Sequence, residues 1–319
     1  MKPRYSRNEA KEYAQQNLRG LWAATLTPFN DDMSVNEAGY RKNLDHWING
    51  LGIDGLFVGG KMGEYNSMTV AERKFAFKAS VEAAAGKCSI LTSCTDQNID
   101  TVVELAKYSQ DIGAEYVIVH TPTFFFGTGT DEAIYEYYRY ICDQVDIGVV
   151  LWNLPKDCGY MLEPQMCMRL AEIPNVVGVK YSVPRDVYAQ LTEMSRGKLV
   201  VSCSSEPEWY RNMKELGWQV YLCSTPPLLL QTKNDTRVRE YTRLAQSGQW
   251  DKAKTVRDSL DPVREAFLGC KPEGKHFSYQ KYWQELLGQV GGLVRRPLLQ
   301  VTDEEKAAIK KAFEKTGLR

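Results

Sequence analysis

From Leu21 onward, short runs of β-branched and apolar residues alternate with longer segments whose apolar positions fall on one helical face. That pattern builds a parallel sheet covered by helices. Eight strand segments can be counted: LWAATLT (21–27), DGLFVGG (54–60), SILTSC (89–94), YVIVHT (116–121), GVVLWN (148–153), VVGVKYS (176–182), KLVVSCS (198–204) and VYLCST (220–225). They recur every ~20–35 residues, the spacing of β-α units. In the helical stretch NEAGYRKNLDHWING, Tyr40, Leu44, Trp47 and Ile48 share one face. TVAERKFAFKASVEAAAG opens on Thr69 with Glu72 three residues later, a capping box. Gly50, Gly113 and Gly217 stand where a helix gives way to the next strand and are expected to close those helices.

Eight such units suit a closed barrel better than a doubly wound sheet, and no GxGxxG follows the first strand. The expected fold is therefore α/β, a (β/α)8 TIM barrel with a C-terminal helical appendage. Residues 1–17 form an N-terminal arm, either helical or frayed, and residues 18–232 form the barrel core. Residues 233–319 complete and extend the barrel with helices near 235–247, 250–268, 276–289 and 303–316.

Composition narrows the function classes. The 40 basic residues cancel the 40 acidic ones, so there is no net field to hold a nucleic-acid backbone or an anionic membrane. No apolar run reaches the ~20 residues of a membrane span, and the polar start lacks a signal-peptide core, so a cytoplasmic location is expected. Eight scattered cysteines without a CxxC pair or neighbouring histidines read as reduced core thiols, and no metal site is expected.

Barrel enzymes keep their chemistry at the carboxyl ends of the strands. There the sixth strand carries Lys180 inside an apolar run, where a lysine must find a partner or have its charge suppressed. A desolvated amine spends more time neutral, which attack on a carbonyl to form an imine requires. The competing reading is a structural lysine paired with a barrel carboxylate.

The second strand ends in GGKMGE (59–64), whose glycines allow a tight turn that presents N–H groups to an anion, or simply a turn. The fifth ends in LWNLPKDCG (151–159), bringing Trp152 and Asp157 near the mouth. The fourth runs into HTPTFFFGTG (120–129), whose three phenylalanines line an apolar pocket or pack on a second subunit. His120 is either a proton shuttle or a hydrogen-bonded core residue, and His46 and His276 are given no catalytic role.

From TPFNDD (27–32) through GGKMGE, LWNLP and GVKYS (178–182) to GQWDKAKTVRD (248–258) and RRPLL (295–299), nearly the whole chain resembles the dihydrodipicolinate synthase and N-acetylneuraminate lyase family. The resemblance implies an imine between Lys180 and pyruvate or another 2-oxo acid, no metal or organic cofactor, and a homotetramer or homodimer. The implied substrate-binding residues are Lys61, Met62, Gly63, Glu64, Phe124, Trp152, Asp157 and Ser204.

Several of these depart from the family pattern. Lys61 and Met62 replace the Thr-Thr or Ser-Thr pair that holds the oxo-acid carboxylate; Lys61 either binds a carboxylate itself or pairs with an acid such as Asp157. Trp152 replaces a tyrosine that relays protons, and an indole N–H donates but is no general base. Water, the substrate's own carboxylate, Tyr65, Tyr160 or His120 must supply that step, while Tyr181, next to Lys180, points the opposite way. Asp157 replaces the synthase arginine, which argues against dihydrodipicolinate synthesis.

Met62, Phe124 and Trp152 imply a fairly apolar pocket, nearest the hydratase-aldolase branch. The expected function is a carbon–carbon or carbon–oxygen lyase acting on a 2-oxo acid and an aldehyde. The alternatives are imine chemistry on a carbonyl compound without a carboxylate, or a catalytically silent binding or regulatory homologue.

Overall fold

The computed structural model describes residues 4–123 and 130–318. Eight strands lie where the alternation places them: β1 Gly20–Ala24, β2 Gly55–Val58, β3 Ser89–Ser93, β4 Tyr116–His120, β5 Gly148–Asn153, β6 Val176–Tyr181, β7 Val200–Ser202 and β8 Val220–Ser224. All ladders are parallel, in the order β7-β6-β5-β4-β3-β2-β1-β8, and helices fill the crossovers. Except for one end residue of β3 and one of β8, every strand position is buried, as expected for a sheet covered on both faces.

No backbone ladder joins β7 to β8, and a side chain closes that seam. The Ser202 hydroxyl donates to the Val220 carbonyl (2.6 Å) and accepts from the Leu222 N–H (2.9 Å). The Tyr221 hydroxyl adds a bond to the Ser204 carbonyl (3.0 Å). The fold is a TIM barrel with additional helices at both chain ends.

Thr69 and Glu72 form the expected reciprocal cap of the helix Val70–Ala84. Gly113 and Gly217 adopt positive φ at their helix ends, but Gly50 does not. The helix Glu37–Asp45 runs on through a wider turn at His46–Gly50, so Gly52, at φ 63°, makes the left-handed exit. A side chain there would strike the Arg239 guanidinium, which donates to the Leu51 carbonyl.

The arm is helical and plugs the base of the barrel. Its helix Ala10–Asn17 buries Ala10 and Ala14, with Leu18 just beyond it. Ahead of it, the Tyr5 hydroxyl donates to the Glu115 carbonyl and accepts from Gly148 N–H (3.0 Å). At the other end, the expected helix at 250–268 is two helices, Trp250–Asp258 and Asp261–Gly269, because Pro262 restarts the chain. The helices Arg237–Gln246, His276–Leu286 and Asp303–Glu314 agree with the sequence reading. All eight cysteines are free, seven of them buried.

Candidate active site

Parallel register sets one row of side chains across the mouth: His120 on β4 is level with Trp152 on β5, Trp152 with Lys180 on β6, and Lys180 with Ser202 on β7. Residues paired in this way project to the same face of a sheet. Trp152 is 3% exposed, and its indole meets His120 edge-on at 5.1 Å and Phe57 of β2 edge-on at 5.3 Å.

Lys180 is 6% exposed. Its Nζ lies 4.9 Å from the Phe57 ring centre and 5.1 Å from that of Trp152, and it makes no hydrogen bond or ion pair to the described residues. Burial lowers its pKa below the ordinary lysine value; Lys61 adds to that lowering, and the Cys223 and Cys203 thiols oppose it only in part. Tyr181 turns to the other face, where its hydroxyl donates to the Leu162 carbonyl.

Over this row opens a cavity of about 480 Å³ lined by Lys61, Tyr65, Asn66, Gln97, His120, Thr123, Trp152 and Asp157. Trp152 belongs to its wall and Lys180 lies behind the indole. Lys61 reaches across to Asp157 with an Nζ–Oδ2 distance of 2.6 Å, at 45% and 33% exposure. Of the two readings of Lys61, the paired one is observed. In a half-exposed pair the attraction is small, so the lysine can still exchange partners at low cost.

The GGKMGE turn is a short 3-10 segment, Lys61–Gly63, in which Gly63 N–H donates to the Gly60 carbonyl and Glu64 N–H to that of Lys61. Those two donors are therefore not free to cradle an anion. Gly63 sits against the segment that follows β1, where Thr27 donates to its carbonyl (2.9 Å), and the Met62 side chain is part of the core.

Glu64 departs most from the binding role implied for it. It is held in the left-handed region at φ 58°, and its carboxylate is buried against Lys281 of the helix His276–Leu286 while accepting from Arg295 N–H (2.9 Å). A side chain in that backbone conformation costs of order 1 kcal/mol, which a buried charge pair sustains. Arg295, in the RRPLL segment, also binds Glu72 and the carbonyls of Met33 and Ser67, so this segment ties the mouth loop to the appendage.

Ser204 follows β7; its hydroxyl is 3.5 Å from that of Ser182 and it does not line the cavity. Phe124, with the rest of the triple-phenylalanine run, lies outside the described residues. Reading the sequence missed Phe57, Asn66, Gln97 and Lys281. Phe57 was findable from strand alternation, whereas the other three are brought in by loops or by the appendage. Among the described residues no cluster of three or more His, Cys, Asp or Glu is placed to hold a metal, and no helix is long and apolar enough to cross a membrane.

Comparison with known proteins agrees with this architecture. A curated relative from Methanosphaera stadtmanae, named 4-hydroxy-tetrahydrodipicolinate synthase, is 25% identical across 95% of this chain and 99% of its own. An uncharacterized DapA-like lyase of Thermococcus onnurineus is 31% identical over 52% of this chain. Among solved structures, CdNal from Clostridium difficile in complex with mannosamine superposes with a TM-score of 0.83 at 22% identity, covering 94% of this chain and 99% of that one. YagE from E. coli K12 in complex with pyruvate gives 0.83 at 19% identity, covering 94% and 99%. The model of the dihydrodipicolinate synthetase family matches residues 17–316, nearly the full length, and this chain belongs to that family.

Proposed function

We propose that this protein is a Schiff-base lyase joining or cleaving a 2-oxo acid, such as pyruvate, and an aldehyde, with Lys180 as the nucleophile. The observation that carries the reading is the Lys180 amine, buried against Phe57 and Trp152 and unpaired among the described residues. A charged ammonium gains little there beyond the ring faces and loses its hydration, so the neutral amine is favoured. Attack of that amine on the C2 carbonyl gives a carbinolamine, which loses water to an iminium and makes the neighbouring C3–H and C3–C4 bonds labile.

Pyruvate is the compound bound in the E. coli structure of the same fold, which supports a 2-oxo acid as one partner. Beside Trp152 the cavity is lined by Lys61, Tyr65, Asn66, Gln97, His120, Thr123 and Asp157, which favours a polar aldehyde partner over the apolar one expected from Met62, a core residue. Dihydrodipicolinate synthesis lies outside this reading, because Asp157, already paired with Lys61, offers no cation to a second carboxylate. Retention of the protein in the cytoplasm and its assembly as a homo-oligomer are parts of the same proposal.

Borohydride reduction with pyruvate, followed by intact mass, tests the reading. The adduct mass is expected on the wild type and absent from Lys180→Ala. No adduct on the wild type, or an equal one on the variant, removes it. A second reading, imine formation with a carbonyl compound that lacks a carboxylate, is favoured by the Lys61–Asp157 pair, which neutralises the cation at the mouth. Trapping by neutral aldehydes and ketones but not by pyruvate would select it.

A further inference from the structure

The site has an amine but lacks the tyrosine that the family resemblance leads one to expect for moving protons, since Trp152 stands there. Of the side chains named as possible carriers, two are phenols. The Tyr160 hydroxyl is committed to Asp131, and burial pushes its pKa up. Tyr65 is pushed up to about 12 by burial, although Arg73 opposes the shift, so it is a poor base near neutrality. His120 is different in both geometry and chemistry.

Its Nδ1 is 2.9 Å from the Thr121 carbonyl, and its backbone N–H is fixed on the Thr95 hydroxyl (3.0 Å). A carbonyl only accepts, so Nδ1 carries the proton and Nε2 of the neutral ring keeps its lone pair. Nε2 makes no hydrogen bond to the described residues, and the imidazole lines the 480 Å³ cavity. Two strand spacings separate His120 from Lys180, about 10 Å between backbones. His120 lines the cavity and Lys180 lies behind the Trp152 indole that touches both, so a three-carbon oxo acid condensed on Lys180 passes the indole edge to reach the imidazole.

Resting on the Schiff-base reading above, we propose that His120 is the proton-transfer residue of this site, its Nε2 taking up and returning the proton that enamine formation displaces. In cleavage, Nε2 removes the proton of the hydroxyl on C4 of the Lys180 adduct. The O–H electrons form the aldehyde carbonyl, the C3–C4 pair becomes the enamine double bond, and the iminium π electrons settle on nitrogen. The imidazolium then returns its proton to C3, and water releases the 2-oxo acid from Lys180. Synthesis runs the same steps backward.

The groups facing the ring are Trp152 on β5, Lys180 on β6, Lys61 and Tyr65 from the loop after β2, and Asp157 after β5. Burial, the largest influence, and the two lysines lower the imidazole pKa, while the bond to the Thr121 carbonyl and Asp157 raise it; the net direction is down. The neutral base is therefore the resting form at pH 7. The Trp152 Nε1–H, buried without a partner among the described residues, is a donor available to a substrate oxygen in the same row.

The test separates the two steps. His120→Asn keeps a donor toward the Thr121 carbonyl but removes the base. On this variant, borohydride trapping of pyruvate on Lys180 should stay within about twofold of wild type, while exchange of the C3 protons of pyruvate with D2O, followed by NMR, should fall about 100-fold or more. Added imidazole should restore part of the exchange, and the acidic limb of the pH profile should disappear. Wild-type exchange in His120→Asn overturns the assignment and leaves the Schiff base standing. Loss of trapping together with exchange overturns it as well, because His120 would then serve to build the pocket. No adduct on the wild type is the separate failure of the lyase reading itself.

Discussion

The ammonium of Lys61 and the carboxylate of Asp157, 96 positions apart in sequence, meet at 2.6 Å across the barrel mouth. The pair joins two of the positions where the family resemblance leads one to expect other residues, a hydroxyl and an arginine. The two replacements are electrostatically complementary, so the loops after β2 and β5 are bridged at the entrance of the cavity.

Breaking the pair should tune carboxylate affinity. Asp157→Asn frees Lys61 as a point charge, and the pyruvate concentration giving half-maximal borohydride trapping should fall about three- to tenfold, the scale of an exposed ion pair. Lys61→Thr should move it the other way. An unchanged concentration dependence in both variants would show that the substrate carboxylate binds elsewhere.

Lys180→Met should stabilise the fold while abolishing trapping. Burial lowers the folded-state pKa of Lys180 below its ordinary 10.5, so the unfolded chain binds more protons in the window between the folded value and 10.5. Stability of the wild type therefore rises with pH through that window. Thermal unfolding of the variant should start higher at neutral pH, with the advantage shrinking as pH approaches 10.5. A variant that melts lower than wild type at pH 7 would show the amine to be favourably held.

Ser202→Ala should open the one seam without a backbone ladder. The hydroxyl is fully buried and serves both Val220 and Leu222, so its loss strands a carbonyl and an N–H, at about 1–3 kcal/mol. Denaturant unfolding measures the loss. A midpoint shift no larger than that of an exposed serine substitution would mean that packing alone closes the barrel.

His276→Gln should flatten the acid side of the stability profile. Burial, together with Lys271 and Lys61, lowers the His276 pKa from 6.5 to about 4. Its contribution is therefore complete above pH 6.5 and is lost as pH falls toward 4, because the unfolded chain takes up the proton first. Thermal midpoints between pH 4 and 6.5 should show a shallower slope in the variant. An unaltered slope would assign the acid sensitivity to other groups.

Much of the architecture is legible in the chain because it rests on local physics. Short apolar runs and helical periodicity mark all eight strands and the helices between them, and Thr69 with Glu72 announces a helix start. Lys180 stands out because an amine in an apolar strand is chemically conspicuous wherever the strand lies. The position of the Glu64 carboxylate is not legible for the opposite reason. Its motif places it beside the site, but its partner Lys281 lies more than 200 residues away, and only packing of the appendage shows that the carboxylate turns inward.

By itself, then, the sequence determined the barrel, the family, and the presence of a lysine at the end of β6, since each depends on patterns a few residues long. Tertiary structure decided that Lys61 is paired, that Glu64 supports the loop, that Phe57 and Trp152 enclose the amine, and that His120 shares its row. Those facts depend on register between strands and on loops meeting across the mouth. Through-space distance, and the desolvation that comes with it, has no local signature in the order of residues.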